Sequence, residues 1–166
     1  RKYLEDSFGD IVKLKHYDDI SEVQLENAYI LANEIFDAFS CDLVYTNSEN
    51  VLQQAFVNNH KIEFVDCNDN EIIEHCKKYS ITKGEVALSY KEFVNTICKN
   101  IDRFEFLTFD YGDRYPRNDF SARVYEKHEV YPIFEENLDL EKLYKKSDIT
   151  YDVHFNYLVD CFKENK

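Results

Sequence analysis

Two apolar runs stand out along the chain, and each ends abruptly in polar residues. Residues 27–32 are nearly all apolar, and residues 104–109 form a second run of mainly apolar side chains. Continuous apolar runs are typical of parallel strands that are buried on both faces. The polar residues that follow them are Asn33, Glu34 and Asp37 after the first run and Asp110 after the second. Groups at this position point into the crevice where open α/β sheets bind ligands. The pattern therefore predicts an α/β fold with a candidate site at the ends of these strands.

Three shorter runs with the character of β-strands lie between the two apolar runs. They cover residues 41–46, 51–57 and 61–65, and Asn-rich turns separate them. Turns this short permit only antiparallel connections. Asn58 and Asn59 tolerate the positive φ angles that tight hairpins require. We therefore expect an antiparallel β-meander over about residues 41–66, inserted in the parallel sheet.

Helical spacing of apolar positions predicts two helices in the centre of the chain. The first covers residues 70–79, and a longer one begins at Ser89. Glu92, three residues after Ser89, completes a capping box. This helix leads into the second apolar run, so strand, helix and strand form a crossover that brings the two runs side by side in one direction. Asp110 is then expected on the same sheet edge as Glu34.

The ends of the chain have shorter patterns. Residues 2–8 predict a helix, and residues 11–15 predict a strand that alternates apolar and charged positions. Residues 122–130 fit a strand, with a helix as the alternative, and contain His128. That histidine is either a general base or a structural group on a half-buried strand. Residues 148–166 predict a turn followed by a helix whose apolar face uses Phe155, Leu158, Val159 and Phe162.

Composition and charge exclude several classes of function. A chain of 166 residues with 44% hydrophobic content has enough apolar residues for the core of one domain. The formal net charge of −13 argues against a nucleic-acid partner. The acidity either steers a cationic partner to the surface or simply keeps the protein soluble. No apolar run is long enough to span a membrane.

The cysteines indicate a reducing environment. Their number is odd, they are widely spaced, and no Cys-x-x-Cys pair occurs, so we expect reduced thiols, a cytoplasmic location and no metal site. The five cysteines are Cys41, Cys67, Cys76, Cys98 and Cys161.

Three short motifs resemble one known family. Residues 32–38 read Ala-Asn-Glu-Ile-Phe-Asp-Ala, residues 110–112 read Asp-Tyr-Gly, and residues 147–155 read Ser-Asp-Ile-Thr-Tyr-Asp-Val-His-Phe. Their order and separation resemble those of the MidA-type S-adenosylmethionine-dependent methyltransferases. Mitochondrial members of that family methylate an arginine during respiratory complex I assembly. The resemblance implies a class I, Rossmann-like methyltransferase fold with S-adenosylmethionine as cofactor and a protein partner that carries the target arginine.

The resemblance also assigns roles to the polar residues. A planar guanidinium is best held by carboxylates, and we expect Glu34, with Asp37, to act in catalysis by positioning it. Asn33, Asp110, Tyr111 and Gly112 are then candidates for substrate binding. Asp110 either contributes to an acidic rim or orients the loop through backbone amides, and Tyr111 either stacks on the guanidinium or only packs. A simpler alternative is that Asn33 or Asp37 caps a following helix.

One expected part of such an enzyme is missing from the sequence. Methyltransferases of this fold hold their cofactor with a glycine-rich turn, but the only glycines are Gly9, Gly84 and Gly112. Asp18, by analogy of fold alone, falls where related proteins contact the adenine. We therefore expect residues 1–166 to form a single, incomplete methyltransferase-like domain. The alternative function is a non-catalytic binding or assembly module that keeps the sheet without the cofactor turn.

Overall fold

A computed structural model describes residues 15–127, 129–136, 138–143 and 145–165. The predicted helix over residues 2–8 and the residue His128 lie outside these ranges, as does the predicted strand over residues 11–15 apart from Lys15. The strands of the described part are β1 (Leu25–Asn33), β2 (Asp42–Thr46), β3 (Leu52–Asn58), β4 (Lys61–Asp66), β5 (Lys83–Val86), β6 (Ile101–Phe109), β7 (Gly112–Asp113), β8 (Arg123–Glu126), β9 (Glu129–Pro132), β10 (Asp148–Thr150) and β11 (Val153–His154). The α-helices are α1 (Asn70–Tyr79), α2 (Ser89–Asn100), α3 (Leu140–Leu143) and α4 (Phe155–Lys163), and 3₁₀ turns cover Ile20–Glu22 and Phe36–Ala38.

The two apolar runs form a parallel pair of strands, as predicted. β1 and β6 run side by side from Leu25 opposite Ile101 to Asn33 opposite Phe109. Helix α2 leads directly into β6, and it therefore forms part of the connection between the two strands. Because both strands end at the same level, the residues that follow them meet at one edge.

Only one face of this parallel pair is covered in the described part of the chain. On the covered face, the ring of Phe106 lies 5.0 Å from the ring of Phe162 in α4. On the other face, Tyr29 and Leu31 of β1 are 86% and 71% exposed, and Leu107 and Phe109 of β6 are 55% and 56% exposed. The expectation that β1 is covered on both faces is therefore wrong for the described residues, among which no layer packs on Tyr29.

The predicted meander is present, but it belongs to a separate sheet. β2, β3 and β4 are joined in order and pair antiparallel. β5 also pairs antiparallel with β2, giving a four-stranded sheet in the order β4-β3-β2-β5. The hairpin turn between β3 and β4 uses positive φ angles at Asn59 and His60 (47° and 63°). The sequence pattern did not predict β5, because a four-residue strand with a lysine, a glycine and a glutamate has no apolar run.

Two helical details differ from the sequence prediction. The hydroxyl of Ser89 donates a hydrogen bond to the carbonyl of Ser40 (3.0 Å), so Ser89 does not cap α2. In α4 the buried side chains are Tyr157, Leu158 and Cys161, whereas Val159 is 45% exposed. Leu158 is buried and Phe155 and Phe162 pack against the core, so the predicted apolar face is correct except at Val159. No helix in the described part of the chain has the length and apolar content needed to cross a membrane.

The carboxyl-terminal third folds back onto the parallel pair. β8, β9 and β10 form a three-stranded antiparallel sheet in the order β10-β8-β9. The single strand predicted over residues 122–130 is instead divided between β8 and β9, and Lys127 after β8 has a positive φ of 50°. β11 pairs parallel with the short strand β7. The main core lies between these strands and helices α2 and α4, and its members include Phe36, Tyr90, Val94, Val124, Val153 and Leu158.

Candidate functional site

The edge where β1 ends presents two exposed polar side chains. The backbone N–H of Glu34 donates to the carbonyl of Phe109 (2.8 Å), which extends the pairing of β1 and β6 by one residue. Glu34 then adopts φ of 49°, in the left-handed region, and the chain turns away from the sheet. Asn33 and Glu34 are both exposed. Seven other described residues that are not glycine share this left-handed conformation. The exposed carboxylate at the end of a parallel strand is therefore what makes Glu34 a candidate for contact with a ligand.

Asp110 orients the loop that follows β1. Its Oδ2 accepts hydrogen bonds from the backbone N–H groups of Ile35 (3.1 Å), Phe36 (2.9 Å) and Asp37 (3.4 Å). Its Oδ1 accepts from the N–H of Tyr111 (2.9 Å). Four donors surround the carboxylate, as in the anion sites formed by successive backbone amides. Asp110 was expected either to contribute to an acidic rim or to orient its own loop through backbone amides. The hydrogen bonds agree with the second role. Three of the four amides, however, belong to the loop after β1, and only that of Tyr111 belongs to the loop after β6.

The segment after β1 is a single 3₁₀ turn rather than a helix. The turn Phe36–Ala38 has no capping hydrogen bond from a neighbouring side chain, and Ile35 occupies its N-cap position. Neither Asn33 nor Asp37 caps it, so the simpler alternative to a functional role is wrong. The cap is supplied by Asp110, 74 residues beyond Phe36 in sequence.

Tyr111 and Gly112 join the second motif to the third. The carbonyl of Tyr111 accepts a hydrogen bond from the N–H of Val153 (2.8 Å), and Gly112 lies opposite Val153 in the parallel pairing of β7 with β11. A Cβ atom on Gly112 would lie 2.7 Å from the backbone nitrogen of Val153. Gly112 therefore permits close contact between two backbone segments, which is a structural role, while the ring of Tyr111 is 60% exposed at the edge of the site.

The third motif also binds the first. The N–H of Tyr151 donates to the carbonyl of Asp37 (3.1 Å), and the hydroxyl of Tyr90 in α2 donates to the carbonyl of Phe36 (3.0 Å). Tyr90 and Tyr151 are buried. The three motifs therefore converge on one loop, and the sequence predicted neither tyrosine as part of the site. The position of Tyr151 within the third motif was the one available signal.

Asp37 lies inside this arrangement, and its side chain is only 6% exposed. Burial raises the pKa of its carboxyl above the usual value, and the negative charges of Asp110 and Glu34 raise it further, while Arg123 opposes them. A buried carboxylate close to two others is held in a high-energy state when it is ionised. Asp37 is therefore poorly placed for direct contact with a substrate, and its candidate role is to shape the electrostatics of the edge.

This environment predicts how stability changes with pH. Since the folded state binds the Asp37 proton more tightly than the unfolded state does, the free energy of unfolding should fall as pH rises from the usual pKa of 3.8 through the raised value. Asp37→Asn should remove this contribution. The difference in unfolding free energy, variant minus wild type, is expected to increase with pH across that window. Urea denaturation at a series of pH values measures it, and a difference that stays constant or decreases would contradict the assignment.

Asp18 lies apart from these contacts. Its carboxylate is 3.2 Å from the imidazole of His16, and its side chain is 92% exposed. The residue next to it, Asp19, accepts a hydrogen bond from the N–H of Ser21 and caps the turn Ile20–Glu22. The structure brings Asn33, Glu34, Asp37 and Asp110–Gly112 together, but it gives no contact that links Asp18 to them.

The described residues alone do not fit S-adenosylmethionine. None of the three best-defined cavities among them is lined by Asp18, Asn33 or Glu34. Backbone amides at the edge would suit the carboxylate of the cofactor, but those of Ile35 and Phe36 already donate to Asp110. The exposed carboxylate of Glu34 suits a cation instead. The edge therefore has the chemistry of a cationic acceptor site rather than of a cofactor cradle.

Comparisons with known proteins place this architecture in a class. A crystal structure of an uncharacterized ACR superfamily protein from Burkholderia thailandensis is similar to it, with a TM-score of 0.61 and 16% sequence identity. The match covers 84% of this chain and 39% of that chain. At this identity the similarity concerns the fold alone, a mixed α/β fold with parallel and antiparallel sheets. No curated protein matches the chain.

A family comparison is more specific. The model of a family described as "Putative S-adenosyl-L-methionine-dependent methyltransferase" matches residues 1–166. The chain therefore belongs to this methyltransferase family. The resemblance to MidA-type enzymes is confirmed at the level of the family.

Proposed function

We propose that this chain supplies the acceptor side of a class I methyltransferase that transfers a methyl group from S-adenosylmethionine to an arginine side chain of a partner protein. The observation that carries the proposal is the convergence of the three motifs on the loop that presents Glu34. Asp110 binds this loop from β6, and Tyr151 binds it from the carboxyl-terminal third. The family membership of the whole chain supports the reaction type.

Glu34 would bind the guanidinium of the acceptor. Its carboxylate is exposed, and among the described residues it has no hydrogen-bond or ion-pair partner. Methyl transfer needs the acceptor nitrogen in line with the methyl group, so positioning dominates and well-oriented encounters are worth about 7–11 kcal/mol. Asn33 and the exposed ring of Tyr111 would contact the same side chain. Asp37 and Asp110 would act on the loop and its charge rather than on the substrate.

The cofactor would be bound mainly by residues outside the described part. This chain spans 39% of the length of the similar Burkholderia protein, and its own edge residues do not form a cofactor cradle. The uncovered apolar face of β1 and β6 would then pack against the remainder of the methyltransferase fold. We also propose a cytoplasmic location, which the odd number and wide spacing of the cysteines favour, and neither a nucleic acid nor a membrane as partner.

Glu34→Gln in the whole natural protein that contains this sequence tests the role of the carboxylate. Transfer should fall about 100-fold or more, because the guanidinium loses the group that aligns it. The affinity for S-adenosylmethionine should change little. Transfer is measured as methylarginine by mass spectrometry after incubation with a cell extract, and cofactor affinity by titration calorimetry.

Glu49→Gln is the matched control. Glu49 is also an exposed glutamate, and it lies in the turn between β2 and β3, away from the site. This variant should transfer methyl groups at the rate of the wild type. Equal rates for Glu34→Gln and the wild type, or loss of cofactor binding together with transfer, would refute the role assigned to Glu34.

A second candidate function is a non-catalytic assembly module. The observation that favours it is the absence of a cofactor cradle among the described residues, where Asp110 fills the amides that such a cradle would use. Titration of the whole natural protein with S-adenosylmethionine separates the two candidates. Binding supports the enzyme, and no binding supports the module.

A further inference from the structure

A long apolar groove separates the β-meander from the carboxyl-terminal sheet. It has a volume of about 540 Å³, within the range of about 300–1,000 Å³ typical of ligand sites. Its walls come from β2, β3 and β4 on one side and from α3 and β10 on the other. Its lining is mostly apolar and includes Cys41, Val57, Ile62, Leu140 and Ile149, with His60 and Glu141 among the few polar residues.

Two apolar side chains on opposite walls of the groove are open to solvent. Val57 of β3 is 68% exposed, and Ile149 of β10 is 51% exposed. Contiguous exposed apolar surface with a polar rim is a mark of an interaction site rather than of an ordinary surface. The groove therefore has the composition of a site for apolar side chains.

The groove continues into a second cleft with an acidic border. The cleft is lined by His60, Ile62, Ile133 and Leu140, which also line the groove, and by Glu135, Glu136 and Asp139. Glu135 and Glu136 are exposed, and among the described residues neither has an ion-pair partner. Lys142 pairs with Asp139 (2.7 Å). Lys61 also lines the cleft, so the three acidic residues exceed the two lysines by one negative charge. With a net charge of −13 for the chain, the border favours a cationic partner.

Both walls of the groove begin close to the candidate site. Cys41 is four residues after Asp37, which corresponds to at most about 14 Å of chain. Ile149 is two residues before Tyr151, whose N–H is bound to the carbonyl of Asp37. A segment of polypeptide bound in the groove could therefore reach Glu34 within a few residues.

We propose that the groove binds the segment of the partner protein that flanks the methylated arginine, through apolar side chains in the groove and Lys or Arg residues at its acidic border. This proposal rests on the proposed function and adds its substrate class: a cationic segment with apolar anchors, rather than any exposed arginine. Binding of a peptide segment whose apolar side chains enter a groove is a common mode of protein recognition, and opposite charges at the border of the groove add specificity. The groove then determines which arginine is selected, and Glu34 aligns it.

Binding of a designed peptide tests the proposal independently of methyl transfer. The probe is a fluorescent peptide with one arginine followed, about four residues later, by alternating leucines and lysines. It should bind the protein in fluorescence anisotropy. Replacing the leucines by serines, or the lysines by glutamates, should weaken binding at least about tenfold. A peptide that fails to bind, or that binds equally well with either replacement, would overturn the proposal.

Ile149→Asp and Val130→Asp form a matched pair of variants. Ile149 and Val130 lie in the same three-stranded sheet and are 51% and 50% exposed, but only Ile149 lines the groove. Ile149→Asp should weaken peptide binding at least about tenfold, and Val130→Asp should leave it unchanged. Thermal denaturation of both variants checks that they remain folded. Equal effects of the two variants on binding would refute the groove as the binding site.

Methyl transfer and self-association provide two further outcomes. If Ile149→Asp raises KM for the protein substrate and leaves kcat unchanged, the groove recognises the substrate. If KM is unchanged while the wild type remains active, the groove proposal fails and the proposed function stands. If the peptide binds and no methyl transfer occurs, the proposed function fails and the groove stands as a peptide site.

Self-association is tested by analytical ultracentrifugation. If the wild type is a dimer and Ile149→Asp dissociates it, the groove binds a second copy of the chain, and the proposal is overturned.

Discussion

Gly112→Ala should lower the free energy of unfolding by about 3 kcal/mol or more. The added Cβ would lie 2.7 Å from the nitrogen and 2.9 Å from the carbonyl carbon of Val153. Both atoms belong to the backbone, so no flexible side chain can move to make room. The strands β7 and β11 would have to separate, and the hydrogen bond from Val153 to Tyr111 would be lost. Urea denaturation followed by circular dichroism measures the loss of stability.

Gly84→Ala is the control for this substitution. Gly84 has φ of 143°, a conformation that side chains rarely adopt, but a Cβ there would meet only the carbonyl of Asp119 at 3.4 Å. Its expected cost is therefore the backbone strain alone, about 1 kcal/mol. A cost for Gly112→Ala no larger than that for Gly84→Ala would mean that contact with Val153 does not explain the glycine.

The parallel pair and the meander could be predicted because their signals are local. The apolar runs that became β1 and β6 are continuous in sequence, and Asn-rich turns separate the strands of the meander. Positive φ was predicted at Asn58 and Asn59 and is found at Asn59 and His60, one residue later. The same runs did not indicate that one face of β1 would be uncovered in the described part of the chain. Judged from its sequence neighbours, Tyr29 is expected in the core, but its side chain is 86% exposed. A pattern of apolar residues does not show which layer, if any, covers them.

Helix and turn caps could not be predicted reliably, because their partners are distant in sequence. The pattern at Ser89 and Glu92 is a good local capping box, yet the Ser89 hydroxyl binds Ser40, 49 residues away. The 3₁₀ turn after β1 is capped by Asp110 rather than by a neighbour. In both cases a contact formed on folding replaced the local one. Sequence reasoning placed Asp110 at the correct edge of the sheet but left its role open.

The third motif was recognised without a role, since its function depends entirely on tertiary contacts. Tyr151 and Val153 use backbone N–H groups, not side chains, to bind the loops that carry Asp37 and Tyr111. Backbone contacts leave little trace in the types of residues involved. The positions of Asn33 and Glu34 at the edge could therefore be predicted, because exposed polar side chains follow a strand there. The contacts of Tyr90 and Tyr151 with the loop after β1 could not be predicted.

Asp110→Ala is expected to destabilise the fold by about 3 kcal/mol, the second large effect. The substitution removes the acceptor for the amides of Ile35, Phe36 and Asp37. A partly buried donor left without a partner costs about 1–3 kcal/mol, and water can reach some of these amides, so the total lies well below the sum. Loss of the Asp110 charge also lowers the pKa of Asp37 toward its usual value, which offsets part of the cost at neutral pH.

Asp110→Asn and Asp113→Asn distinguish the cap from a general effect of charge. Asp110→Asn keeps one oxygen for the three amides of the loop, so it should cost about half as much as Asp110→Ala. Asp113 is exposed and accepts only from the adjacent N–H of Arg114 (2.6 Å), so Asp113→Asn should change the unfolding free energy by less than about 0.5 kcal/mol. Equal costs for Asp110→Asn and Asp113→Asn would exclude the cap. The expected order of the three variants would instead mean that the loop presenting Glu34 is held by a carboxylate that follows the neighbouring strand, through three hydrogen bonds to backbone amides of the loop.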